Sequence, residues 1–106
     1  MTRRKQIEAF CRRLAREFRP ERIILFGSHA HGTPTADSDV DILVVLPFEG
    51  QSVRKAVEIR MKTNPTFPVD LLVRTPEKVR ERVAMGDSFM REILEKGTVL
   101  YEAADA

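Results

Sequence analysis

The chain has one cysteine, Cys11, among 106 residues, so it holds no internal disulfide, and such sparing use of thiols suits a reducing cytoplasm. Long apolar runs are also missing. The longest, Ile42 to Leu46, falls far short of the ~20 residues that cross a bilayer. The N-terminus lacks the apolar stretch of a secretory signal, so the expected location is the cytoplasm and no membrane partner is expected. No repeat, low-complexity tract or linker interrupts the chain, and its Pro and Gly residues punctuate elements without clustering. With an ordinary hydrophobic content of 42%, the expectation is a single domain over residues 1–106 with a modest core.

Neither sign of charge predominates overall, the net being +2, yet Arg3, Arg4, Lys5, Arg12, Arg13, Arg16, Arg19 and Arg22 crowd near the N-terminus. Such a cluster fits a solvated helix face, or a basic face toward nucleic acid or an acidic partner. No aromatic platform of the kind that stacks bases is interleaved with it. Nucleic acid is therefore not expected as a partner, and a solvated helix face is the expectation.

What is present alternates between helix and strand. Thr2 is a candidate N-cap, and Ile7, Phe10, Cys11, Leu14 and Phe18 recur at helical spacing up to Pro20, which places Cys11 on an apolar stripe as a small core residue. Arg22 to Phe26 reads as a strand, Gly27 to Gly32 as a turn opening a short helix, and Asp39 to Leu46 as a second strand. After Asp41 that strand is apolar on both faces, the mark of a central strand. Ser52 is a candidate cap for a helix through about Lys62, and Asn64-Pro65 closes it before a third strand near Phe67 to Arg74. Thr75 and Pro76 open another helix with Val79, Val83 and Met85 inward. A last helix, capped by Asp87 or Ser88, carries Phe89, Ile93 and Leu94 and ends with Gly97 at C′ before a strand from Thr98 to Tyr101. The tail from Ala103 is expected to fray. This order gives an α/β (α+β) fold with a small sheet flanked by helices.

Two short motifs carry the chemistry. In an extended segment, side chains two apart share a face, so Asp39 and Asp41 present their carboxylates together. Their mutual repulsion, roughly 1 kcal/mol in water and several-fold more in a drier site, requires a cation between them or a proton on one of them. Hard oxygen ligands without a Cys or His set favour Mg²⁺ or Mn²⁺ over zinc. Ahead of them, Gly27 gives a turn without Cβ, where backbone N–H groups can approach a phosphate, and Ser28 adds a hydroxyl donor.

The string from Phe26-Gly27-Ser28 through Asp39-Val40-Asp41, with ten residues between Ser28 and Asp39, resembles the signature of the DNA polymerase β-like nucleotidyltransferase superfamily. More narrowly, the chain from its first helix to Glu102 resembles the minimal nucleotidyltransferase (MNT) family, whose members are commonly antitoxin partners of HEPN-domain proteins. The resemblance implies a nucleotidyltransferase fold with a mixed sheet. It also implies a third carboxylate on a neighbouring strand, here Asp70. An acid inside the apolar run Phe67 to Val73 suits a metal ligand, although an exposed edge-strand residue would fit it too. Carried over, Asp39 and Asp41 would hold two Mg²⁺ ions and bridge them to the nucleotide. Asp70 would complete the metal site and help deprotonate the attacking hydroxyl, and Gly27 and Ser28 would bind the β,γ-phosphates. The family often has a basic or large aromatic residue where His29 and His31 stand. A histidine contact to phosphate would be weaker and more sensitive to pH, and both are expected to be exposed turn residues.

The activity so implied is transfer of AMP from ATP onto a tyrosine hydroxyl of a HEPN ribonuclease toxin. The added negative charge would repel RNA, making the enzyme an antitoxin. Larger members of the superfamily hold their acceptor with an additional helical region, and no residues remain here for one. A partner or a second copy, in a hetero- or homo-oligomer, would then hold the acceptor. Two alternatives stand beside this reading. One is a non-catalytic antitoxin that masks its partner sterically, which has no need of three repelling acids. The other is transfer to a small molecule such as an aminoglycoside.

Overall fold

The computed structural model describes residues 2–32, 34 and 38–104. Helix α1 spans Arg3–Phe18. The Thr2 hydroxyl accepts from the Lys5 N–H at 3.2 Å and satisfies one of the free donors of the first turn. At its other end Arg19 takes a left-handed conformation (φ 47°) and Pro20 forbids continuation. Strand β1 (Arg22–Phe26) leads into the single-turn helix α2 (Ser28–His31), and β2 follows at Val40–Val45. Helix α3 (Ser52–Thr63), strand β3 (Val69–Arg74), helices α4 (Pro76–Ala84) and α5 (Ser88–Lys96), and strand β4 (Thr98–Glu102) complete the order.

The four strands form one mixed sheet in the order β3-β2-β1-β4. Strand β1 runs antiparallel to both neighbours, whereas β2 and β3 are parallel, joined by the crossover through α3. The expected central position of β2 holds: Ile42 to Val45 are completely buried. Alternation along the strands sorts the core into two layers. Val40, Ile42 and Val44 meet Ile7, Phe10, Cys11 and Leu14 of α1 and Ile59 of α3. Leu43 and Val45 meet Val79 of α4 and Met90 and Ile93 of α5. Cys11 is a buried core residue as expected, and burial pushes its thiol pKa up to about 11.

Several local expectations are corrected. Ser52 is the first helical residue of α3, not its cap, which is Gln51 without a side-chain bond. Met85 is 68% exposed because α4 ends at Ala84 and the chain turns away at Gly86. On α5, capped by Asp87, the sheet takes Met90 and Ile93, while Phe89 lies half out and rests edge-to-face on Phe26 at 5.9 Å. Gly97 closes α5 but with φ −72°, so no left-handed turn calls for glycine there. Space does: a Cβ would lie 2.5 Å from the Ile93 carbonyl oxygen and 2.6 Å from Ile24 Cγ2.

The two sheet edges differ. Along β3, guanidinium groups of Arg60 and Arg74 donate to the carbonyls of Val69 and Val73, each at 2.7 Å, covering an edge that would otherwise invite pairing. Among the described residues, no side chain bonds to the backbone of β4.

Candidate active site

The candidate site forms where the C-terminal end of β1 meets the N-terminal ends of β2 and β3. Asp41 lies opposite Phe26 on one side and opposite Asp70 on the other. In parallel strands ~4.8 Å apart, residues in register on the same face put their carboxylates side by side. Both belong to the face that carries Leu43 and Leu72, the face covered further along by α4 and α5. Asp39 precedes β2 and is exposed, so the strand starts one residue later than expected. Asp70 is both exposed and on an edge strand, as the plainer expectation had it, and it is also the neighbour of Asp41.

The electrostatics follow from that placement. Burial, then the charges of Asp70 and Asp39, push the Asp41 pKa above the ordinary carboxylate value, while His29 pulls it back. Among the described residues, no Lys, Arg or His makes an ion pair with any of the three acids. No three His, Cys, Asp or Glu side chains among those residues close into a metal cage by themselves. The donor set is therefore open: oxygen-only, anionic and short of cations. Such a set suits Mg²⁺, which retains waters and takes phosphate oxygens and so seldom occupies an all-protein cage.

Gly27 stands against this cluster. It has φ 75° and ψ −156°, backbone that only glycine adopts without strain, and an added Cβ would overlap Oδ2 of Asp41. Its carbonyl accepts from Ala30 and His31 at 3.1 and 3.3 Å, which winds α2 and leaves the leading N–H groups of that turn without helical partners. Ser28 opens the turn beside them. The structure thus gathers Gly27, Ser28, Asp39, Asp41 and Asp70 at one end of the sheet.

One contributor was not legible in the sequence. His29 is half-buried, and its Nε2–H donates to the Ser38 carbonyl at 3.2 Å, tying the turn after β1 to the segment that carries Asp39. Only its position between the two motifs hinted at this. His31 is exposed, as expected. Beside Gly27 and Ser28, a cavity of about 370 Å³ opens toward α5, lined by Phe26, Phe89 and Glu92.

Comparison with known proteins decides the family. The nucleotidyltransferase domain family matches residues 3–101. The chain belongs to that family. A candidate protein adenylyltransferase of Methanocaldococcus jannaschii is 33% identical over 105 residues, covering 95% of this chain and the whole of that protein. The fold is shared with a crystal structure of a candidate nucleotidyltransferase from Sulfolobus solfataricus (TM-score 0.64, 21% identity, 92% of this chain and 78% of that one). It is shared too with a toxin–antitoxin crystal structure containing AMP-PNP (TM-score 0.55, 22% identity, 92% and 75%). The minimal nucleotidyltransferase is thus an enzyme of the nucleotidyltransferase class, with the mixed, helix-flanked sheet that its resemblance implied.

Proposed function

We propose that this nucleotidyltransferase is a Mg²⁺-dependent protein adenylyltransferase that moves AMP from ATP onto a tyrosine hydroxyl of a HEPN-type ribonuclease, and so acts as its antitoxin. The observation that carries the reading is the placement of Asp41 between Asp39 and Asp70, with no ion pair to any of the three acids among the described residues and only His29 acting against their combined charge. An enzyme that brings its own counter-charge with the nucleotide gains from that arrangement, whereas a surface used only for contact does not. The Methanocaldococcus relative is named for adenylyl transfer involving protein and the structural neighbour for a toxin–antitoxin pair, which supports a protein acceptor and a toxin as partner.

In this reading Asp39, Asp41 and Asp70 are the metal ligands. Bound Mg²⁺ would supply the positive charge that draws the triphosphate in and steadies the oxygens exchanged at the α-phosphorus. Gly27 and the leading amides of α2 bind the β,γ-phosphates with Ser28, because the turn offers donors where no Cβ intervenes. Asp70, exposed at the start of β3, accepts the proton of the incoming tyrosine hydroxyl. The oxygen of that hydroxyl forms the new bond to the α-phosphorus as the bond to pyrophosphate breaks.

The test incubates the protein with Mg²⁺, ATP and the HEPN-type protein encoded beside it and reads the intact mass of the partner, with Asp41→Asn as control. A partner heavier by adenylyl units, only with the parent protein, is the expected result. An unchanged mass beside a tight complex that still silences the ribonuclease would replace the enzyme with a steric antitoxin.

A further inference from the structure

The edge strand β4 lies beside α1 across a groove of about 710 Å³, lined by Arg4, Cys11, Arg12, Arg16, Leu100 and Tyr101. The groove combines three features. Among the described residues its strand edge has no side-chain cover, unlike β3, and it leaves backbone donors and acceptors free to pair on either side of the register shift between Val99 and Tyr101. Its floor is partly apolar, and Val99 on the same strand is 53% exposed. Its far wall is a ladder of guanidinium groups at helical spacing of four, interrupted only by Glu8.

The charges on that wall are unmatched. Every ion pair within 4 Å among the described residues lies between Lys55 and Lys96. None involves α1, although seven cations and two carboxylates lie from Arg3 to Arg19. On a chain of net charge +2 the remainder is therefore net acidic, and the positive field is concentrated on this one helix.

We propose that the groove between α1 and the free edge of β4 docks an acidic, extended segment of a partner protein, which joins the sheet as a fifth strand. Backbone pairing to β4 supplies register, and alternate side chains of the segment face the arginines of α1. A second copy of this chain fits less well: edge-to-edge pairing of two β4 strands would bring two basic helices to one side of the joined sheet. Nucleic acid also fits less well, because the groove offers a strand edge and an apolar floor with no exposed aromatic row for bases. The α1 layer is on the sheet face opposite Asp41 and Asp70, so the docking requires no transfer reaction.

The probe is a fluorescein-labelled peptide of alternating glutamate and threonine, titrated into the full chain with anisotropy and backbone amide exchange as readouts. We expect saturable, salt-sensitive binding with slowed exchange over Thr98–Glu102. Affinity should fall at least about tenfold in Arg12→Glu/Arg16→Glu, both exposed positions, with the unfolding temperature checked for each variant. Arg4→Gln serves as an independent variant should the double reversal disturb folding. Absence of saturable binding, affinity indifferent to these reversals, or binding without protection of β4 would each overturn the proposal. Displacement of the peptide by polyuridylate bound more tightly would overturn it in favour of RNA. Self-association abolished by Val99→Lys would overturn it in favour of a second copy.

Discussion

Asp41 occupies the volume that a side chain on residue 27 would need: a Cβ added to Gly27 overlaps its Oδ2. The turn and the carboxylate are thus one structural unit, and Gly27→Ala acts on both. It places a side chain at φ 75° and forces Asp41 to move, costing ~1–3 kcal/mol of stability from backbone strain. The expected outcome is a folded protein of lower unfolding temperature that has lost nucleotidyl transfer. Gly86→Ala, with the same sign of φ and open space around it, should show a stability loss without the loss of activity.

Asp41 also gives the metal-free protein a signed pH dependence. Its folded-state pKa lies above the unfolded one, so the folded state holds the proton more tightly. The stability penalty is absent while both states are protonated, below the ordinary value of 3.8. It grows as pH rises past that value and then persists. Asp41→Asn, which carries no charge, should therefore unfold at a higher temperature than the parent near neutral pH in EDTA, with the gap closing under acid. Mg²⁺ should raise the unfolding temperature of the parent and leave the variant unmoved. Equal melting of the two proteins at neutral pH would contradict the clustered-carboxylate account.

Gly97 tests packing apart from backbone conformation. Its φ of −72° suits any residue, yet a Cβ would press on the Ile93 carbonyl and Ile24 Cγ2. Overpacking of this kind costs ~1–3 kcal/mol, so Gly97→Ala should lower the urea midpoint with little change of slope. A variant as stable as the parent would show that β4 shifts freely against α5.

Where local chemistry decides, the chain was legible. Thr2, Thr75 and Asp87 mark helix starts through bonds to residues three away, Pro20 stops α1 by its ring, and β1 spans Arg22–Phe26 as its apolar run foretold. Adjacent apolar residues were not so legible. Phe89 and Met90 sit about 100° apart on α5, and only the sheet beneath decides that Met90 enters the core. The site divides in the same way. Their spacing of two announced Asp39 and Asp41 as a pair, although Asp39 stands just outside the strand, but the register that sets Asp41 against Asp70 is a property of the parallel pairing, which needed a family resemblance to anticipate. The bond from His29 to Ser38 spans nine residues around the site and has no signature in composition or period.

That bond gives the remaining prediction. The His29 Nε2–H holds the Ser38 carbonyl, and Ser38 immediately precedes Asp39, whose own position lies outside the strand ladder. Removing the donor takes one tie from the segment while leaving both core layers intact, since His29 belongs to neither. A neutral hydrogen bond contributes about 0.5–1.5 kcal/mol, so His29→Ala should lower the unfolding temperature only slightly. Its effect on transfer should be larger, about tenfold if the segment's order is worth ~1.4 kcal/mol at the transition state. His29→Gln, whose amide N–H can reach the same carbonyl, should recover most of that activity across neutral pH. If the glutamine variant is as impaired as the alanine one, the imidazole acts through its charge on Asp41.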